Sequence, residues 1–470
     1  MSAPDEGAHL LRAVSAAEGQ WAGSPVDSPE PHNITTANRR SFKVPAYLAV
    51  IDAAPCYAFK ALIPASCKPT YRLGPATETT HVGTYYPLVY VPLGIAARIA
   101  GTVPDAIYAE RMVSAILCAT FLLIAFALTF TSAWSRAAWF LAAGPLTFYL
   151  ASSAATNGIE VAASICLVCV SLELSRREPT RRLWLAWTMS GVALASAKSL
   201  GPLFLIFDLV AVMVLTQRWS WWWKRFRSAP VAIGLVVLAA IVNGLWTVTF
   251  IRSADASPAN SYTHDVLLAF KAIKRDAQGL FSRFGWVDVD TSAHLWVLGY
   301  VAAAILIGSC LVGMVSGGRW KFVAIGAMTG LITLVVTVTE IVGGYVFQAR
   351  YTLAILAPLG FLAVAAQPSD RDTSRFPRWC IALMVIVNGA AMYGNARRYA
   401  VGERGSIFFP FDAKWSPPGG WWLTTIVALV GLGSLGVTGF QSWSTPGHED
   451  RGRRNGMIEI WAGHRRRAAN

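Results

Sequence analysis

The sequence predicts an all-α integral membrane protein, a multi-spanning helical bundle, and three observations carry that expectation. Hydrophobic residues make up 54% of the chain and charged residues only 14%, whereas soluble domains carry about 25% charged residues. Eleven apolar runs approach or exceed the roughly 20 residues that a bilayer demands of a helix. The basic residues responsible for a formal charge of +14 fall in short clusters between those runs. They do not form a basic face on a soluble fold, which argues against nucleic acid as a partner.

The runs cover approximately 112–131, 137–155, 158–175, 183–199, 201–217, 229–251, 292–315, 322–343, 352–367, 379–396 and 419–440. Four short connections carry the positive charge: Arg176, Arg177, Arg181 and Arg182; Arg218, Lys224, Arg225 and Arg227; Arg319 and Lys321; Arg371, Arg375 and Arg378. All four are expected on the cytoplasmic side of the membrane. Consecutive basic connections are separated by even numbers of spans, so one orientation satisfies all of them. The tail 441–470, with Arg465, Arg466 and Arg467, then also lies inside and reads as disordered chain near anionic headgroups. The expected organisation is an extracytoplasmic first loop over 1–111, a transmembrane domain over 112–440 and a cytoplasmic tail.

Within the first loop, 82–101 is apolar but contains Pro87, Pro92 and Arg98. A span there would break the parity, so a re-entrant or interface-lying helix is expected. Residues 1–20 lack the apolar core of a signal peptide and precede every span. The expectation is therefore that a first span is missing upstream of Met1. Cys118, Cys166, Cys169, Cys310 and Cys380 lie in apolar runs and read as small buried hydrophobes. Cys56 and Cys67 lie in a polar stretch and can pair in an oxidising compartment. No P-loop, zinc signature or dinucleotide glycine motif occurs.

The expected outer face gathers the informative polar residues. These are Asp5, Glu6, His9 and Arg12; His81, Tyr85 and Tyr86; Asn157 and Glu160; Lys198; Asp288 in the loop FGWVDVD; and Gln348, Arg350 and Tyr351. Each has a plainer reading. Asp5 and Glu6 can cap a helix beside Pro4, Lys198 can snorkel from a span end, Asn157 and Glu160 can cap a span, Arg350 can anchor an interface, and His9 can be a structural histidine. Their convergence on one membrane face raises the functional reading, because ionisable groups at span ends are costly. A carboxylate there can take a proton from a hydroxyl, while Lys and Arg can hold a lipid-linked phosphate.

PDEGAHLLRAVSAAEGQ, HVGTYYPLVYVPLGIAARIAG, AERMVSAIL, SSAATNGIE, the FGWVD loop and FQARYTLAILAPL occur in that order. Together they resemble the landmarks of a family of bacterial multi-spanning membrane proteins of unknown function, the domain of unknown function 2142 type. That family is usually placed near the GT-C glycosyltransferases. The resemblance implies a GT-C-like bundle whose first external loop carries the acidic pair. It also implies a polyprenyl-phosphate-linked sugar as donor, an extracytoplasmic glycan or lipid as acceptor in the cell envelope, and membrane lipids as surroundings. By the same resemblance Asp5 is the catalytic base, with Glu6 its partner or a contact for a divalent cation or the acceptor. Lys198 and Arg350 are phosphate-holding candidates on chemistry more than on motif. The chain departs from the family at Gly7 and at Val82-Gly83-Thr84, where prolines are usual, and at Gly158, where an aspartate is frequent. A non-catalytic binding, translocation or assembly component for lipid-linked saccharides is the alternative.

Overall fold

A computed structural model describes residues 5–26, 38–48, 56–66, 77–129, 132–251, 262–285, 289–290, 294–342, 348–367 and 375–441. The N-terminal part builds a small mixed layer. Helix α1 (Glu6–Ala17) is followed by strands β1 (Ser24–Pro25), β2 (Arg40–Lys43) and β3 (Thr77–Thr80), paired antiparallel in that order. In β2 the two-residue repeat sends Arg40 and Phe42 inward and leaves Lys43 exposed. Phe42 packs with Leu10, Leu11 and Val14 of α1 in a core of its own.

The apolar stretch 82–101 forms helix α2 (Tyr90–Arg98), nine residues long, which at about 1.5 Å per residue cannot cross a bilayer. It lies against α1 and against α3 (Val103–Thr129). Contact with α1 is close enough that a Cβ at Gly94 would overlap the backbone carbonyl of Ala13. Glycine at that position therefore sets how near the two helices sit.

The remaining helices are α4 (Ala133–Ala142), α5 (Pro145–Ala151), α6 (Asn157–Arg176), α7 (Arg181–Ala197), α8 (Gly201–Thr216), α9 (Trp219–Ser228), α10 (Pro230–Phe250), α11 (Tyr262–Ala277), α12 (Leu295–Gly313), α13 (Ser316–Val342), α14 (Leu353–Leu356), α15 (Leu359–Ala365), α16 (Phe376–Val401), α17 (Phe409–Asp412) and α18 (Gly420–Gln441). A short two-stranded hairpin pairs β4 (Arg283–Phe284) with β5 (Val289–Asp290).

Among the described residues, seven helices are long and apolar enough to span: α3, α6, α10, α12, α13, α16 and the Gly420–Phe440 part of α18. The other four expected spans differ. The run 137–155 is divided into α4 and α5 at Ala143 and Gly144, because Pro145 brings no amide hydrogen to continue the ladder. The run 352–367 is divided into α14 and α15 around Pro358 for the same reason. The runs 183–199 and 201–217 are single helices of 17 and 16 residues, α7 and α8. The expected span 112–131 belongs to a longer helix that starts at Val103.

Burial orders the bundle. In the apolar window of α6 94% of residues are buried, against 6% in Gly420–Phe440, so α6 is the axis and α18 is peripheral. The peripheral helices turn large apolar side chains outward, among them Leu245 and Val248 on α10 and Leu429 and Val430 on α18. Such surfaces suit hydrocarbon and not water, and the chain is a membrane protein. Cys118, Cys166, Cys169, Cys310 and Cys380 are free and buried. Cys56 is disulfide-bonded; its expected partner Cys67 lies outside the described residues.

Candidate functional site

The acidic pair is split by a local backbone choice. Asp5 precedes α1 with φ +66°, in the left-handed region that aspartate tolerates better than most residues. Its side chain stays 30% exposed, whereas Glu6 points inward with 1% exposure. Arg111 of α3 donates from Nε to Glu6 Oε1 at 2.8 Å and from Nη2 to Oε2 at 2.5 Å. The amide of Ala154 donates to Oε1 at 3.0 Å. Burial opposes ionisation of Glu6, but the charge and hydrogen bonds of Arg111 prevail and hold its pKa below the ordinary carboxylate value. Glu6 thus fastens α1 to α3 and to the turn before α6.

Asp5 faces a different partner. Arg350, in the 3-10 turn Ala349–Tyr351, donates from Nη2 to Asp5 Oδ2 at 3.2 Å. Nε2 of His81 lies 3.8 Å from Oδ1. Arg350 is buried, sits 5.4 Å from the Tyr351 ring, and its Nε has no hydrogen-bond partner among the described residues. Burial weakens the guanidinium's hold on its proton, but neighbouring Tyr351 and Asp5 strengthen it, and the net pKa is raised.

Lys198 follows the last turn of α7 and directs its ammonium between two rings, 5.8 Å from Tyr85 and 5.6 Å from Tyr351. Its charge is felt by Glu160, Arg350, Glu340 and Asp5. Glu160 and Asn157 lie on the first turn of α6, both buried, and Glu160 Oε1 and Asn157 Nδ2 lack partners among the described residues. Asp5, His81, Arg350, Tyr351, Lys198, Tyr85 and Glu160 therefore form one linked electrostatic neighbourhood drawn from five distant parts of the chain.

His9 and Arg12 form the wall behind it. His9 Nδ1 is 2.7 Å from the Tyr90 hydroxyl, with the two rings stacked at 5.8 Å. Burial, and then the charges of Lys198, His81 and Arg350, push the His9 pKa well below its ordinary value. Arg12, fully buried, donates from Nε and Nη2 to the Tyr85 carbonyl at 3.0 and 2.7 Å and from Nη2 to the Trp21 carbonyl at 2.8 Å. Burial lowers its pKa to about 10. These contacts make Arg12 a clamp on the Tyr85 loop.

Other expected residues have different surroundings. Tyr86 packs edge-on against Trp246 at 5.8 Å. Gln348 lines a cleft of about 40 Å³ with Tyr149, Asp276, Arg283, Gly285 and one side of Arg350. Asp288 lies outside the described residues. Among the described residues no three His, Cys, Asp or Glu side chains are grouped to hold a metal ion.

Arg111, Tyr90, Tyr149 and Glu340 are not among the residues expected from the sequence. Arg111 and Glu340 carried a usable signal, since a charged side chain at the edge of an apolar run has to be accommodated by a partner. Tyr90 and Tyr149 carried none, because a tyrosine in such a run reads as an interface aromatic.

The profile of a family described as a predicted membrane protein, DUF2142, matches residues 1–359. The chain belongs to the DUF2142 family. The matched stretch of this DUF2142 protein holds every residue of the charged neighbourhood, from Asp5 to Tyr351. No curated protein and no solved structure matches the chain.

Proposed function

We propose that this DUF2142 protein is a GT-C-type membrane glycosyltransferase. In this reading it moves a sugar from a polyprenyl-phosphate donor to a hydroxyl of an extracytoplasmic glycan or lipid during cell-envelope synthesis. It resides in the bacterial inner membrane with its C-terminus in the cytoplasm. The observation that carries the reading is the Asp5–Arg350 contact at 3.2 Å, with the Lys198 ammonium close by. A general base and a phosphate-binding arginine are thereby adjacent, and glycosyl transfer from a lipid phosphate needs both.

The donor phosphate competes with Asp5 for Arg350, using the guanidinium's planar fork, and Lys198 adds a second positive charge. Asp5, released from its counter-ion, accepts the proton of the acceptor hydroxyl. The oxygen attacks the anomeric carbon as the bond to the phosphate oxygen breaks, and polyprenyl phosphate leaves against Arg350 and Lys198. One displacement inverts the anomeric configuration. Glu6, with both oxygens engaged, acts as a positioning residue for Asp5. Purified protein in lipid, given a radiolabelled polyprenyl-phosphate sugar and envelope acceptors, is expected to transfer label. Asp5→Asn should abolish transfer while keeping donor binding.

The same ion pair also suits a second reading, a binding or translocation component for lipid-linked saccharides in which Asp5 is only the resting counter-ion of Arg350. There Asp5→Asn is nearly silent in a deletion strain, and Arg350→Ala abolishes saccharide binding and surface glycan alike.

A further inference from the structure

One buried carboxyl plays no part in that chemistry. Asp208 lies within α8, is 1% exposed, and its Oδ1 has no hydrogen-bond partner among the described residues. Its Oδ2 is 2.6 Å from the hydroxyl oxygen of Ser164 on α6. The same hydroxyl oxygen lies 2.6 Å from the backbone carbonyl oxygen of Ala354 on α14. Pro358 stands four residues after Ala354 and has no amide hydrogen, so the Ala354 carbonyl is denied its helical donor.

The hydrogen count decides the arrangement. Ser164 has one hydroxyl hydrogen, and the Ala354 carbonyl can only accept. If Ser164 donates to Ala354, the contact with Asp208 is a hydrogen bond only when the proton comes from the carboxyl. If Asp208 were ionised, one of the two 2.6 Å contacts would set lone pair against lone pair. A buried carbonyl freed by a proline must find a donor inside a membrane protein, which settles the direction of the Ser164 hydrogen.

We infer that Asp208 is a neutral carboxylic acid that donates to Ser164, and that this relay holds the proline-broken turn just after Arg350. Asp208 is then a positioning residue. Its proton occupies the Ser164 lone pair and so aims the Ser164 hydrogen at Ala354 and not at its own helix, the usual habit of a helical serine. Its bearing on donor binding rests on the glycosyltransferase reading; the protonation state and the hold on α14 do not.

The full chain in lipid nanodiscs, as wild type, Asp208→Asn, Asp208→Ala and Ser164→Ala, tests this by two measurements independent of activity. In infrared difference spectra of wild type against Asp208→Asn, a protonated-carboxyl carbonyl band should disappear, and in Ser164→Ala that band should shift. Hydrogen exchange over Ala349–Ala357 should stay at the wild-type rate in Asp208→Asn, whose amide still donates. It should be about tenfold faster in Asp208→Ala and Ser164→Ala, as loss of one buried hydrogen bond implies. Absence of the band overturns the inference, as does an Asp208→Asn chain as loose as Ser164→Ala, or an Asp208→Ala chain as tight as wild type. A preparation showing the band and this exchange pattern but no sugar transfer leaves the relay standing and sinks the glycosyltransferase reading.

Discussion

Asp5 and Arg350 stand 345 positions apart and meet at 3.2 Å, the one across a left-handed turn at the head of α1, the other on a 3-10 turn after α13. Arg350 spends one amino group on Asp5 and keeps Nε without a partner among the described residues. A planar fork poised in this way is not replaced by an ammonium. If the protein is the proposed glycosyltransferase, Arg350→Lys is expected to raise the donor KM by roughly 10- to 100-fold, the worth of a charge-assisted hydrogen bond. Lys198→Met should do the same to a smaller degree. Saturation curves for labelled donor check both, and an Arg350→Lys protein with wild-type KM removes Arg350 from the proposed phosphate site.

Glu6 and Arg111 are predicted to act on stability. Breaking a buried, doubly hydrogen-bonded ion pair strands a charge and costs about 3–5 kcal/mol. Glu6→Gln and Arg111→Leu should each lower the thermal midpoint in detergent markedly, and the two together should cost less than their sum. Additive losses would show that the two side chains do not act as a pair.

The pH response follows from His9. Its folded-state pKa is pushed well below the ordinary 6.5 by burial and by the cations facing it. The unfolded chain therefore takes up a proton that the folded chain refuses. The contribution to stability is complete above 6.5 and is lost as pH falls toward the folded value, at about 1.4 kcal/mol per pH unit. Glu6, with a folded pKa below 4.5, loses its own contribution only at pH lower still. Thermal midpoints measured between about pH 8 and 5 should fall, and His9→Gln should flatten the slope. An unchanged slope in the variant would assign it to other groups.

Arg12 offers a test of chemistry against charge. Its three hydrogen bonds end on two backbone carbonyls, and its guanidinium lies 5.6 Å from the Phe42 ring and 5.9 Å from the Tyr90 ring. Arg12→Lys keeps the charge and loses the fork, so it should lose about 2 kcal/mol or more of stability. Equal midpoints for the lysine variant and wild type would show that charge alone suffices.

Gly94→Ala is the smallest substitution with a predicted distant effect. The added methyl meets the Ala13 carbonyl, which is backbone and cannot swing aside. Overpacking of this kind costs about 1–3 kcal/mol, and here the strain pushes on the helix that begins at Asp5 and Glu6. The thermal midpoint should fall and, on the glycosyltransferase reading, donor affinity with it, measured on the same preparation.

The sequence made some of this legible and hid the rest for physical reasons. Apolar runs report burial or lipid contact, so the bundle could be read from them. They are blind to a proline that cuts a run in two, as Pro145 and Pro358 do. Lys198, Glu160 and Arg350 stood out because charge is scarce in this chain. Arg111 is marked only by its place at the edge of the run 112–131, because the helix that holds it starts at Val103. The three-stranded sheet was invisible, since strands as short as Thr77–Thr80 carry too few alternations to register. No spacing rule could have paired Asp5 with Arg350, because their contact is a product of tertiary packing alone.

That separation also orders events in time. A ribosome adding roughly 5–20 residues per second needs about 20–70 s to pass from the first partner to the second. Throughout that interval the nascent chain carries its acid without its arginine. A polypeptide released early, or one whose later helices fail to insert, lacks half of the charged neighbourhood, so assembly of that neighbourhood doubles as proof that synthesis has run past Arg350.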